Sequence, residues 1–322
     1  MISILMIVYD VEQYVAKAIE SVLDQTYKDF ELILVIGEGG KDNCEAICRD
    51  YAAKDNRIKI VIAPPKGPAD ARNKGLAVVT GDYLGFVDAD DYVEPDMFES
   101  MMKNLEDTGA DIAVCGRFYE FQNKTLSDKE GTPTVYTGEE AIKVTLSGEG
   151  FFLHCWDKLF TKKIFEDLYF RTDIAVEDRI IVDKLLSKAD KVVYDSTPKY
   201  HFRERFGSLS KKSGMVRKNV EGNEIMQDFI LNNHPNIKNE CNRFMLYEYI
   251  TAVQNELTVE DTNKEDLLEY RNKVKALYKE NNPFVARTIK IKAIMAIYFP
   301  FLLKMYTSSM KSKVKNDYVR FP

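Results

Sequence analysis

The 322-residue sequence is notable first for what it leaves out. It has no apolar run of about twenty residues, the length a membrane-spanning helix needs. The run Ala293 to Leu303 is too short and is interrupted by Pro300. No low-complexity tract marks a disordered region, and no internal repeat marks a solenoid. The five cysteines are an odd number without ligand-like pairing, and Cys44 and Cys48 are one helical turn apart. That pattern excludes a disulfide framework and a zinc site, and it points to a reducing cytoplasm. No basic segment precedes the apolar start Ile2-Ser3-Ile4-Leu5-Met6, so this start is expected to be a first buried strand rather than a secretion signal. Positive charge is also short. Lys and Arg number 45 against 51 Asp and Glu, a net charge of −6, which argues against a general nucleic-acid binder because phosphate backbones demand a basic surface.

What remains is a globular composition, 45% hydrophobic and 30% charged, in a chain long enough to bury a large core without disulfides or structural metals. Charge is distributed unevenly. From Val285 to Pro322 there are eight Lys or Arg against one acid, Asp317, or +7, which leaves −13 for the rest.

Apolar stretches at Ile2 to Val8, Glu31 to Ile36, Arg57 to Ile62 and Tyr83 to Val87 alternate with helical patterns at Tyr14 to Leu23, Asn43 to Ala53, Ala69 to Val79 and Asp96 to Asp107. Four strand-helix units in succession predict an α/β fold with a Rossmann-like sheet. Ligands of such sheets bind beyond the carboxyl ends of the strands, which directs suspicion to Tyr9-Asp10, Gly37 to Asp42, Pro64 to Asp70 and Asp88 to Asp91. Further on, Asp111 to Phe118 reads as a strand, followed by a polar loop through Gly131 and a helix opened by Thr137-Gly138-Glu139-Glu140. Cys155 to Phe165 and Ala175 to Ser187 read as helices, with Lys191 to Tyr194 and Lys199 to Arg203 as closing strands. After Gly214 the chain reads as helical: to Leu231, then His234 to Leu257, Lys264 to Tyr278 and Pro283 to Met310. The expected domains are 1–213, with halves 1–110 and 111–213, and a helical region 214–322.

The sharpest chemical signal is Phe86-Val87-Asp88-Ala89-Asp90-Asp91. Side chains two apart on an extended chain face the same way, so Asp88 and Asp90 project together. Three clustered carboxylates repel one another without a cation, and Mg²⁺ or Mn²⁺ takes a few carboxylate oxygens while bridging phosphates. A metal-diphosphate site explains the cluster; the plain alternative is a helix cap, for which one acid would suffice.

Together with Ser21-Val22-Leu23-Asp24-Gln25-Thr26-Tyr27-Lys28-Asp29-Phe30-Glu31, Ala71-Arg72-Asn73-Lys74-Gly75-Leu76 and Thr80-Gly81-Asp82-Tyr83, this run resembles the GT-A fold of the large inverting glycosyltransferase family 2, whose bacterial members build capsules, teichoic acids and other surface glycans. The resemblance implies a metal-dependent hexosyltransferase using a nucleotide-sugar donor, UDP-linked by default with CDP or another nucleotide as the alternative. By the same resemblance Asp90 is the principal metal ligand, Asp88 contacts metal or ribose, and Asp91 lies nearer the transferred sugar or acceptor. Arg72, with Asp70 nearby, takes a donor-binding role, and a helix start carrying an arginine favours an anion. Trp156-Asp157-Lys158-Leu159-Phe160 and Ala175-Val176-Glu177-Asp178 resemble the family's acceptor-side helix and its acid pair. Asp178 is the expected general base, with Glu177 beside it, because direct displacement with inversion needs one carboxylate to take the acceptor proton. Tyr200 to Ser210 resembles a strand running into a closing loop, where Arg203, Arg205 and Ser208 offset charge on the leaving diphosphate and Gly207 serves as hinge. His201 has two readings, a third metal contact or a structural histidine.

Two stretches depart from the family. Gly37-Glu38-Gly39-Gly40-Lys41-Asp42 stands where an Asp-Asp-Gly-Ser run is usual, so Glu38 or Asp42 is assigned to the base. Tyr9 and Asp10 replace the common Pro and Asn, leaving Tyr9 to stack on a base and Asp10 to contact the nucleotide. Two other functions compete with the transferase. A sugar nucleotidyltransferase needs a glycine-rich phosphate loop where Tyr9-Asp10-Val11-Glu12 stands; a degenerate donor-binding module would normally lose some of the acids that survive here.

The tail, residues 285–315, combines apolar side chains with basic flanks. It reads either as an anchor at an anionic membrane face, suiting a lipid-linked acceptor, or as a helix packed against protein, in a homo-oligomer or on the catalytic domain. The expected location is cytoplasmic, peripheral at the inner face of the membrane under the first reading.

Overall fold

The structure, a computed structural model, describes all residues except 65, 175, 206–214, 260, 261, 282–284, 319, 321 and 322. The chain divides into two compact units. The first is Met1–Ile142, Gly150–Asp173 and Glu177–Glu204; the second is Lys143–Glu149, Ile174–Val176 and Arg205–Pro322.

The first unit begins with β1 (Ile2–Val8), α1 (Glu12–Leu23), β2 (Phe30–Gly37), α2 (Cys44–Lys54), β3 (Ile58–Ala63), α3 (Pro68–Leu76) and β4 (Tyr83–Phe86). It continues through β5 (Tyr92–Val93), α4 (Met97–Thr108), β6 (Ile112–Phe121), β7 (Lys124–Ser127), β8 (Thr134–Tyr136), α5 (Gly138–Ser147), whose end passes into the second unit, β9 (Lys158–Thr161), α6 (Glu177–Lys188) and β10 (Val192–Arg203). The strands form one sheet in the order β3-β2-β1-β4-β9-β6-β10-β5, with β7 on β6 and β8 on β10. β1 lies parallel between β2 and β4, covered on both faces, which is why its seven residues are nearly all apolar. α1 buries Val15, Ala18, Ile19 and Val22, the spacing of a one-sided stripe. α3 approaches the sheet closely. A Cβ on Gly75 would stand 2.5 Å from Leu5 Cδ2, and this gives a packing reason for glycine in the Ala71 to Leu76 run.

The four strand-helix units expected over the first 110 residues form as expected. The segment from Cys155 to Phe165 does not: it contains strand β9 and a 3₁₀ turn, Lys162–Phe165, where the pattern predicts a helix. Its apolar pair Leu159-Phe160 pairs with β4 on one side and β6 on the other, and tertiary pairing overrides the local pattern. The two closing strands merge into β10, whose register against β6 shifts on either side of Pro198; proline lacks the N–H a ladder requires and sits at this irregularity. The segment expected as a polar loop through Gly131 instead holds the end of β6 and its antiparallel partner β7, with β8 following it.

Asp183, inside α6, is 1% exposed, and neither carboxylate oxygen has a hydrogen-bond partner among the described residues. Burial pushes its carboxyl well above the usual carboxylate range, with Lys184 only partly opposing. The folded-state affinity for the proton exceeds the unfolded one, so wild-type stability falls as pH rises above about 4, the unfolded carboxyl value. Asp183→Asn is expected to stabilise the fold at neutral pH by about 1–3 kcal/mol. Thermal melts of both proteins between acid and neutral pH check this, because the gap should widen as pH rises.

The second unit holds α7 (Met215–Asn233), α8 (Lys238–Glu256), α9 (Lys264–Asn281), α10 (Arg287–Tyr298) and α11 (Pro300–Asp317). Its core joins Met245, Leu246, Tyr249 and Val253 of α8 to Tyr270 and Val274 of α9, Ala293 and Ala296 of α10 and Leu303 of α11. The helix expected from Pro283 to Met310 is broken at Phe299, because Pro300 disfavours a helical residue before it and opens the next helix. No helix among the described residues is long and apolar enough to cross a membrane.

Candidate active site

β4 ends at Phe86, and the chain turns through Asp88 to Asp91 before β5. One carboxylate oxygen from each of Asp88, Asp90 and Asp91 lies within 4.8 Å of the others. The turn is held from behind by β10, whose Tyr200 and His201 pair with Val93 and Tyr92 of β5. Tyr200 is fully buried; its hydroxyl accepts from the Asp88 N–H and donates to Asp91 Oδ2, each at 3.0 Å. The Arg203 N–H donates to Asp91 Oδ1 at 2.8 Å, and its guanidinium donates to the Asp90 carbonyl at 2.7 Å while lying over the rings of Tyr92 and Tyr14.

Asp91 is therefore engaged through both oxygens in holding the turn, and it is 1% exposed. Burial, and then the charges of Asp90 and Asp88, push its carboxyl well above the usual range. Burial pushes Asp88 up to about 6, with Arg72 opposing and Asp90 and Asp178 adding to the rise. Oxygen donors that raise one another's proton affinity are a set that a hard divalent cation fits, since the cation relieves the repulsion.

Facing this turn are side chains of α3 and α6. Arg72 is 13% exposed; its Nη1 pairs with Glu177 Oε1, and the guanidinium stands 5.3 Å from the Phe170 ring centroid. The carboxylates of Glu177, Asp88 and Asp178 together hold its charge, outweighing burial. Glu177 itself is raised, by burial first, with Asp178 adding and Arg72 opposing. Asp178 moves the other way. Burial alone would raise it, but the hydrogen bond and charge of His154, with Arg72 and Arg179 beyond, hold its carboxyl well below the usual range. His154 Nδ1 lies 3.2 Å from Asp178 Oδ2, and the Arg179 N–H donates to Asp178 Oδ1 at 2.8 Å.

His154, Asn73 and Lys158 belong to this arrangement, and sequence patterning assigns none of them a part. The His154 ring stacks on Trp156 at 5.3 Å, and Trp156 in turn stacks on Tyr200 at 4.4 Å and Phe202 at 5.6 Å. One aromatic column thus connects the histidine beside Asp178 to the tyrosine beneath Asp88 and Asp91. Lys158 is fully buried, donating to the carbonyls of Phe152 and His154 and to Asp157 Oδ1 at 2.6–2.7 Å. It fixes the loop that carries His154. Asn73 exchanges two hydrogen bonds with the backbone of Phe170, at 2.8 and 2.9 Å, docking that segment on α3. The one signal in the sequence is a charged pair, Asp157-Lys158, inside an apolar stretch, which marks a buried ion pair that needs several partners.

Of the two readings of His201, the structure supports the structural one. Its Nδ1 is 2.8 Å from Glu120 and its Nε2 2.7 Å from Glu94, and the ring is sandwiched between Tyr92 and Phe118. Both nitrogens are taken, which corrects the expectation of a third metal contact. Asp42 is also committed elsewhere. Its oxygens accept from the N–H groups of Glu12 at 2.7 Å and Cys44 at 3.1 Å, joining the starts of α1 and α2.

At the end of β1, Tyr9 is 47% exposed, and a Cβ on Gly37 would stand 2.8 Å from its ring, so the glycine makes room for it. Asp10 adopts φ 51° and accepts from the Lys41 N–H at 2.7 Å. Glu38 is exposed beside them. Asp70 lies in the first turn of α3, its Oδ2 buried and without a hydrogen-bond partner among the described residues. Arg205 falls in the second unit, and Ser208 and Gly207 lie outside the described residues.

The chain is 34% identical over 221 residues to the glycosyltransferase GlyA of Streptococcus pneumoniae, covering 65% of this chain and 31% of GlyA. It is 32% identical over 221 residues to EpsH of Bacillus subtilis, covering 66% of this chain and 63% of EpsH. The match thus spans under a third of one relative and under two thirds of the other. Among solved structures, S. aureus TarS 1-349 in complex with UDP-GlcNAc superposes with a TM-score of 0.70 at 15% identity, over 98% of this chain and 91% of that one, a likeness of fold. The sequence profile described as Glycosyl transferase family 2 matches residues 3–169, more than half the chain, from Ser3 within β1 past the Asp88 to Asp91 turn, and on that match the chain belongs to glycosyl transferase family 2.

Proposed function

We propose that this chain is an inverting glycosyltransferase that moves a sugar from a nucleoside-diphosphate donor, UDP-linked, to a hydroxyl of a surface-glycan or lipid-linked acceptor at the cytoplasmic side of the membrane. The observation that carries the reading is the pairing of three converging carboxylates with a fourth, Asp178, kept ionised beside them. Asp90 and Asp88 would hold Mn²⁺ or Mg²⁺, which when bound supplies charge neutralisation for the diphosphate.

The chain's own residues account for the remaining requirements. Tyr9 offers an exposed ring for the base, and Glu38 stands where a base-recognising acid is expected. Asp10 and Asp70 flank the same strand ends as nucleotide contacts, and Arg72 brings positive charge to the edge of the acid turn. Arg203 contributes by shaping that turn, and Arg205 and Ser208 are assigned to the diphosphate by the family resemblance. Asp178 takes the acceptor proton as the hydroxyl oxygen attacks the anomeric carbon; the bond from that carbon to the diphosphate oxygen breaks, the nucleoside diphosphate leaves, and the single displacement inverts the carbon. Glu177 is the weaker choice for base because its carboxylate is already paired with Arg72. Asp91 serves the same chemistry by holding Asp88 and Asp90 in place.

The UDP-GlcNAc complex of the structurally similar TarS supports a uridine nucleotide. Calorimetric titration of UDP, CDP and GDP, each with Mn²⁺ and again with chelator, tests the reading. UDP is expected to bind only with the metal present. Binding of no nucleotide under either condition would replace the enzyme with a degenerate binding or scaffolding module.

A further inference from the structure

The second unit ends in a helical corner whose outer face has no counterpart in its own core. α10 stops at Tyr298 and α11 starts at Pro300. Arg271 of α9 holds the corner by donating to the carbonyls of Ala296 at 2.9 Å and Ile297 at 2.7 Å, the unpaired end of α10. Ala293, Ala296 and Leu303 point into the helical core. The other side exposes Ile294, Tyr298, Phe299, Phe301, Leu302 and Met305, with Tyr298 and Phe301 at 62% and Met305 at 65%. Isolated exposed apolar residues are ordinary, but a contiguous group at one corner marks a contact surface.

Charge identifies what covers it. Between Glu280 and Asp317 the sequence carries no acid, while Arg287, Lys290, Lys292, Lys304 and Lys311 line the two helices. Lys304 is exposed about one helical turn from Phe301, and Arg287 is exposed at the start of α10. A second copy meeting this face about a two-fold axis would set like-charged flanks against each other. An anionic bilayer instead accepts both features at once, the cations at its headgroups and the apolar tip, with its aromatic rings, at the acyl boundary. We propose that the α10–α11 corner is a docking surface for an anionic lipid bilayer. The argument stands on the C-terminal helices and is independent of the transferase reading.

Co-sedimentation of the full chain with phosphatidylcholine vesicles, with and without phosphatidylglycerol, tests it. The protein is expected to partition onto the phosphatidylglycerol vesicles and to bind the neutral ones at least about tenfold more weakly. Two double variants, Phe301→Glu with Met305→Glu and Arg287→Glu with Lys304→Glu, should each lose at least about tenfold in partitioning, with unchanged circular dichroism because all four side chains are exposed. Failure of the wild type to sediment, or equal sedimentation of wild type and both variants, overturns the proposal. So does lipid-free self-association that the Phe301→Glu, Met305→Glu variant abolishes, which would assign the face to a second copy. Nucleotide titration of the same variants separates this outcome from the fate of the transferase reading.

Discussion

Asp178→Asn is expected to lower kcat by about 10²- to 10⁴-fold, the range a positioned general base supplies. Nucleotide affinity should stay within about twofold, since the lost interaction forms only in the transition state. Asparagine keeps the shape and can still accept the Arg179 N–H and face His154, so the site geometry survives the change. What it cannot do is take a proton. The neighbours of Asp178 hold its carboxyl well below the usual range, and it stays ionised as pH falls through the ordinary carboxylate values. In the proposed reaction this keeps the carboxylate ready to accept the proton, at the cost of low basicity. Single-turnover rates with bound donor are the relevant measurement, and transfer by Asp178→Asn within about threefold of wild type would move the base elsewhere.

Asp90→Ala is expected to weaken metal-dependent nucleotide binding by at least about 100-fold while leaving the fold intact, because the proposed two-carboxylate metal site loses one of its ligands. The structure explains why the two effects separate at this position. The Arg203 guanidinium donates to the Asp90 backbone carbonyl, which alanine retains. Asp91 is different: Tyr200 and the Arg203 N–H bind its two carboxylate oxygens, so removing that side chain strands a buried hydroxyl and a buried N–H. Removing Asp90 also relieves the repulsion that raises Asp88 and Asp91. Calorimetry with Mn²⁺ and a thermal melt on the same sample check both halves. Unchanged metal-dependent binding would remove Asp90 from the site.

Much of the fold is legible in the sequence. β1, β2 and β4 are apolar runs of the length and bounding that buried parallel strands require, with β3 at the sheet edge, and the carboxylates follow β4. The departures share a cause. Cys155 to Phe165 has apolar residues at spacings that suit a short helix or a strand, and only pairing with β4 and β6 decides for the strand. The role of Asp42 escapes sequence reasoning because a polar residue near a candidate site looks the same in sequence whether it faces the ligand or the backbone; His201 has a structural reading in the sequence already, and its bonds to Glu120 and Glu94 favour it.

Periodicity reports on residues within a turn or two of each other, and at that range the sequence by itself determined the α/β alternation, the Asp88 to Asp91 cluster at the end of a strand, and the basic, apolar tail. Tertiary structure alone decided which acids are available. Asp91 is held by residues 109 and 112 positions away, Arg72 meets Glu177 across 105, and His154 reaches Asp178 across 24. The physical reason is that a buried carboxylate takes its proton affinity from whatever charges and donors the fold places around it, and those neighbours come from other elements of the chain.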